Sequence, residues 1–205
     1  MKGKRRKSTT AAELMDKLSK DAGYQARRAA QEERLRVEEA AGRAEEAGLS
    51  ADLERVGVEA KSAWDLVNRG QSYVEAVPVL LDHLQRDYSD RTKEGIARAL
   101  AVPEAVGGWH ILMSEFERNP DKTAFGSKFG VGCALAATAR ANGRYDEVLR
   151  LLREEQHGES RAALLEALAL SKDPKARSML REFVDDPVLG EQTRWYLKHP
   201  GRPRR

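Results

Sequence analysis

From residue 77 onward, apolar side chains return at helical spacing and in two alternating signatures. Val77, Leu80, Leu81 and Leu84 stand at i, i+3, i+4 and i+7, and Trp109, Leu112, Met113 and Phe116 repeat the arrangement. It comes back as Val148, Leu151 and Leu152, and again as Ala176, Met179, Leu180 and Phe183. Each occurrence is followed, 16 to 22 residues later, by a second group: Ile96, Ala99 and Leu100; Val131, Ala134 and Leu135; Leu164, Ala167 and Leu168; Thr193, Tyr196 and Leu197. Spacing of this kind puts one apolar stripe on each of two successive helices. The first signatures start 32, 39 and 28 residues apart, a period expected of stacked helical units that bury a continuous core between neighbours. The third unit is uneven, because Glu155 stands where the other first helices carry Leu84, Phe116 or Phe183.

Turn residues separate the apolar periods. Pro78 lies at a helix start, where its missing N–H is tolerated, and Gly107-Gly108 breaks the chain before the Trp109 helix. Asn119-Pro120-Asp121 turns within the second pair, Asn142-Gly143 separates the second pair from the third, and Asp173-Pro174 the third from the fourth. Upstream, Ser50 is read as the cap of a helix running through Leu53, Val56, Ala60, Ala63, Trp64 and Val67, stopped by Asn68-Arg69-Gly70. That helix is an atypical half-unit covering one end of the stack.

The first 48 residues differ in kind. Residues 1–10 are polar and basic, and are read as a disordered tail. Residues 11–48 are dense in Ala, Glu, Arg and Gln, with Asp16–Lys20, Glu32–Arg36 and Glu39–Arg43 at the favourable i, i+4 spacing. Leu14, Met15, Leu18, Tyr24, Leu35 and Val37 are too sparse for a heptad seam. An exposed helical extension ending at Gly48 is expected, then a repeat domain over 49–198 and a basic tail over 199–205. The fold class is all-α: an α-solenoid with an N-terminal helical extension.

Charge changes the picture once it is located. The chain carries a net +3, but Lys2, Lys4, Arg5, Arg6, Lys7, Arg202, Arg204 and Arg205 supply eight positive charges at its ends. Removing those eight turns +3 into −5 for residues 8–201. The body is mildly acidic and suits a basic partner. Cys133 is the single cysteine, which excludes an intrachain disulfide. No apolar run reaches the length of a membrane span and the basic start has no apolar stretch behind it, so a cytoplasmic protein without a membrane partner is expected.

Candidate chemistry is thin. His83, His110, His157 and His199 are scattered without ligand spacing, and Cys133 reads as a small buried thiol with no histidine beside it in sequence. Gly126, Gly130 and Gly132 lack the strand and the Gly-Lys-Ser/Thr ending of a phosphate loop, and read as sites of close helix packing. Asp185-Asp186-Pro187 reads as a turn whose acids cap the next helix. No catalytic residue, metal site or cofactor is expected.

Three segments carry a family resemblance: Trp64-Asp65-Leu66-Val67-Asn68, Gly95-Ile96-Ala97-Arg98-Ala99-Leu100, and the stretch from Arg161 to Leu168. Over roughly residues 50–198 the chain resembles HEAT repeats, in particular small bacterial HEAT-like proteins. The resemblance implies a concave surface lined by the second helix of each pair. Off the packing stripe there stand Lys93, Glu94 and Arg98, then Lys128, Arg161, and Gln192 with Arg194. Arg98 and Arg161 are singled out because arginine grips carboxylates and phosphates bidentately, and Trp109 as the one tryptophan placed to act as an exposed anchor. The alternative for the arginines is a bond to a neighbouring loop carbonyl. The family includes adaptors and immunity proteins that neutralise a toxin, so a non-catalytic protein-binding scaffold is the leading expectation. Nucleic-acid binding through basic residues and the tails is the alternative. HEAT-like lyases use His-Glu pairs within repeats, and no such repeated pair occurs here.

Overall fold

In the computed structural model, which describes residues 10–67 and 69–203, every regular element among those residues is helical: twelve α-helices joined by short 3₁₀ segments, with no strand. The basic run over residues 1–7, Asn68, and Arg204 with Arg205 lie outside the described residues. The chain divides into two compact units, one up to Ala44 and one from Glu45 onward.

The first unit holds α1 (Ala11–Lys20) and most of α2 (Ala22–Glu45). Thr10 opens α1 with a capping box: its hydroxyl accepts from the Glu13 N–H, and the Glu13 carboxylate accepts from the Thr10 N–H. Asp21 ends α1 and accepts from the Tyr24 N–H, starting α2 at once. Ion pairs Asp16–Lys20, Arg28–Glu32, Glu33–Arg36 and Arg34–Glu38 lie along these helices. Neither helix contains a buried residue in α1 or, within this unit, in α2. Good intrinsic helix formers and local ion pairs carry this segment, rather than an apolar core.

The second unit starts with a departure from the sequence reading. Gly48 does not end a helix, and Ser50 does not cap one. The turn comes earlier, at Glu46, and both residues lie within α3 (Ala47–Arg55). The physical reason is the Glu46 carboxylate, which is buried and accepts from the Ala63 N–H at 2.7 Å. Ser50 instead donates to the Ala60 carbonyl. Val56 and Ala60 leave the helix because Gly57, at φ 81°, reverses the chain; α4 (Trp64–Val67) is a separate turn.

Helices α5 (Val77–Leu84) and α6 (Asp90–Ala99) form the next pair. Ser89 caps α6, and Glu45 accepts from the hydroxyls of Ser89 and Thr92. Buried His83 uses both ring nitrogens, Nε2 toward Asp52 on α3 at 2.9 Å and Nδ1 toward the Tyr88 hydroxyl at 2.7 Å. A 3₁₀ segment, Pro103–Gly108, runs directly into α7 (Trp109–Arg118), so Gly107-Gly108 tightens the entry rather than breaking it.

Helix α8 (Gly126–Asn142) packs against α6, α7, the Pro103–Gly108 segment and the elements that follow. Its small residues permit this crowding. A Cβ on Gly132 would stand 2.8 Å from that of Ala163 and 3.3 Å from the Phe116 ring. Gly143, in the left-handed conformation, ends the helix.

After α9 (Tyr145–Arg153) the uneven unit shows its cause. Residues Glu155–Leu164 form 3₁₀ turns kinked at Gly158, whose φ of 56° a larger residue resists. The kink lets Gly158 lie against Lys122 and the Glu159 N–H bond the Lys122 carbonyl at 2.7 Å. Only α10 (Leu165–Ala169) remains as an α-helix there, followed by α11 (Pro174–Met179), a 3₁₀ turn Leu180–Phe183, and α12 (Gly190–Lys198).

Two glycine substitutions separate close packing from helix propensity. Gly132→Ala lowers stability by about 1–3 kcal/mol, because Ala163 is backed by other buried groups. Gly48→Ala, with nothing within 4 Å of the new methyl, raises it by up to about 0.5 kcal/mol. Urea unfolding of both variants checks the opposite signs.

Candidate interaction surface

The second helices of successive pairs meet side by side: α6 on α8, α8 on α10, and α10 on α12, with α4 against α6. Where they meet, a strip of partly exposed polar and aromatic groups crosses them. Arg98 stands over two rings, 6.0 Å from the centroid of Trp64 and 5.5 Å from that of Phe129. Its Nε donates to Glu94 at 2.8 Å, and Nη2 forms an ion pair with the same carboxylate oxygen at 2.8 Å, which fixes the guanidinium in orientation. Cys133 and Arg140 follow Phe129 on the same flank of α8, four and eleven residues on. Arg140 donates to the Glu166 carbonyl on α10. The Glu166 carboxylate accepts from Tyr196 on α12, and Gln192 donates to the Ala162 carbonyl.

Next to Arg98 a cavity of about 460 Å³ opens. Leu66, Val77, Val102 and Cys133 line it, with Arg69 and Glu104 also on its wall. Burial pushes the Cys133 thiol up to about 11, so at neutral pH it is protonated and a poor nucleophile.

The residues singled out in the sequence divide sharply. Arg98 lies on the strip, half-buried and held by Glu94. Lys93 is also half-buried, but it lines a separate cavity of about 250 Å³ with Glu115 and Arg118. Arg194 is exposed and donates to the Val184 carbonyl. Trp109, Lys128 and Arg161 do not present their side chains outward, and the expectation that they are exposed is corrected. Trp109 is 2 % exposed, donates its indole N–H to Glu147 at 2.7 Å, and has Arg144 over its ring. Lys128 turns back along α8, donates to the Asn119 carbonyl at 2.7 Å, and sits over the Phe116 ring. Burial lowers its pKa.

Arg161 bonds backbone carbonyls, as the alternative expected, but those of the end of α9 and of its own 3₁₀ segment rather than of a loop. It donates to those of Leu152 and Gly158 and forms an ion pair with Asp186 at 2.9 Å. It thereby ties the kinked 3₁₀ segment to the turn before α12. Asp186 also accepts from the Val188 and Leu189 N–H groups. Burial alone would raise its pKa; these two backbone bonds and Arg161 outweigh burial and hold the carboxyl below the ordinary range.

Phe129, Arg140 and Glu166 were not singled out in the sequence. From Cys133, the flank of α8 can be traced four residues back to Phe129 and seven forward to Arg140, whereas Glu166, on α10, carries no such signal. Among the described residues there is no cluster of three or more His, Cys, Asp or Glu side chains able to hold a metal ion, and no helix is long and apolar enough to cross a membrane. Comparison with family models, curated proteins and solved structures returns no match for the chain.

Asp186→Ala leaves the Arg161 charge enclosed without its carboxylate and lowers stability by about 3–5 kcal/mol. Because the folded-state pKa of Asp186 is depressed, its contribution is complete above the unfolded value, about pH 4, and is lost as pH falls through the folded value. Acid unfolding of the Asp186→Asn variant checks this, with a shallower fall in stability below about pH 4 than the parent.

Proposed function

We propose that the chain is a non-catalytic protein-binding scaffold, a HEAT-like α-solenoid whose second helices present the strip from Trp64 to Gln192 to a partner. The observation that carries the reading is that strip: it crosses α4, α6, α8, α10 and α12 without interruption and combines half-buried aromatics with arginines held in fixed orientation. Aromatic and arginine side chains of this kind are enriched among the residues that dominate binding energy. The order in which the second helices pack is the order a stacked array requires. The uneven unit at Glu155–Leu164 is accommodated by a local kink that keeps Leu164, Ala167 and Leu168 in the core.

The mildly acidic body favours a basic protein partner, and a toxin neutralised in an immunity role belongs to that class. Nucleic-acid binding draws less support. The strip arginines are paired with Glu94 or with a backbone carbonyl, and most of the excess positive charge sits at the chain ends.

The test is a pull-down from nuclease-treated lysate at about 0.5 M salt, where charge interactions are screened within a few ångströms. The parent and a variant lacking residues 1–8 retain one stoichiometric protein, and Arg140→Glu loses it. Recovery of nucleic acid at low salt, with loss on deleting residues 1–8, contradicts the reading.

A further inference from the structure

The cavity beside Arg98 has a use that the scaffold reading does not require. Its volume of about 460 Å³ lies in the range of small-molecule sites, which join an apolar lining to a few placed polar groups. The lining fits that description. Leu66 and Val77 are buried, and Val102 and Cys133 are half-buried. Tyr73, also on the wall, has its hydroxyl committed to the Ala99 carbonyl at 2.8 Å, so it offers its ring rather than a polar group.

The charged groups of the lining are Arg69, Arg98 and Glu104. Arg98 is bound to Glu94 through Nε and Nη2. Arg69 is half-buried and forms no ion pair among the described residues. Glu104 is exposed, at the outer side of the wall. With Arg98 neutralised by Glu94, Arg69 and Glu104 balance in number, and Arg69 is the guanidinium without an ion-pair partner among the described residues, beside an apolar floor.

We propose that this cavity binds a small organic monocarboxylate, an acyl or aryl acid, with its apolar body against Leu66, Val77, Val102 and Cys133 and its carboxylate on Arg69. The amphiphilic ligand answers both halves of the lining: the chain removes apolar surface from water and the carboxylate forms a charge-assisted bond to guanidinium. The protonated thiol of Cys133 adds soft apolar surface and takes no part in chemistry. The site stands whether or not the neighbouring strip takes a protein, so failure of one leaves the other intact.

Cys133 is the only cysteine in the chain and reports on its own cavity. The experiment follows alkylation of the full-length protein by N-ethylmaleimide at about pH 8.5, chosen to raise the thiolate fraction, with intact mass as the readout. Probes are the straight-chain acids from butanoate to decanoate, phenylacetate, and octanamide as the uncharged comparison. At least one acid protects Cys133 saturably, and octanamide needs a concentration about 10-fold higher or more. Arg69→Gln, whose thermal midpoint matches the parent because Arg69 makes no ion pair among the described residues, raises the half-protecting concentration about 10-fold, the loss expected for one charge-assisted bond. Absence of saturable protection by every acid, equal protection by octanamide, or an unchanged response in Arg69→Gln overturns the proposal.

Discussion

Helix α8 is packed on several sides, and the second unit depends on how closely its neighbours can approach. Gly130 and Gly132 remove the side chains that would meet Ala97 and Ala163, and Ala134, Ala136, Ala137 and Ala139 keep the remaining contacts short. A helix with so little side-chain volume gains less from each residue buried, but it buries twelve of its seventeen. Interiors are close-packed, so an added methyl along such a helix displaces several neighbours together. The polar residues near its start follow from the same crowding. Lys128 folds onto the Asn119 carbonyl and the Phe116 ring, and Ser127 donates its N–H to Asp90 while its hydroxyl accepts from the Asn119 amide.

Charge is handled locally throughout. Glu46 holds the turn into α3, Glu147 holds Trp109, Asp186 holds Arg161, and Glu94 holds Arg98. The first three of these link segments distant in sequence and brace joints between helices. The fourth lies one turn apart on a single helix and braces a side chain that faces partly outward. Arg98 keeps 28 % of its side chain exposed with one carboxylate partner, whereas Arg161, 2 % exposed and bonded to two carbonyls and Asp186, belongs to the framework.

The all-helical class and most helix positions were legible because apolar spacing records burial directly: Leu80, Leu84, Leu112, Phe116, Leu151 and Leu164 all lie in the core. Proline and Asx-Gly turns were legible for the same local reason. What the sequence hid was set by contacts between distant segments. Nothing near Gly48 announces that Glu46 will be buried against Ala63, and nothing near Gly158 announces that its kink will bring it against Lys122. Exposure of long polar side chains was the least legible property. Lys128 and Arg161 occupy helix positions that patterning alone assigns to solvent, and their direction depends on carbonyls at the ends of α7 and α9. Of the strip, Glu94, Arg98 and Gln192 stood out in the sequence as separate positions; Arg140 and Glu166 required the register of α8 against α10.

Native-state hydrogen exchange measured residue by residue tests the central role of α8 most directly. If the second unit depends on that helix, the amides between Val131 and Ala139 exchange only through global unfolding, with the same free energy and the same urea dependence as the whole unit. Faster exchange of those amides, through a local opening that leaves α6 and α10 protected, would contradict the account.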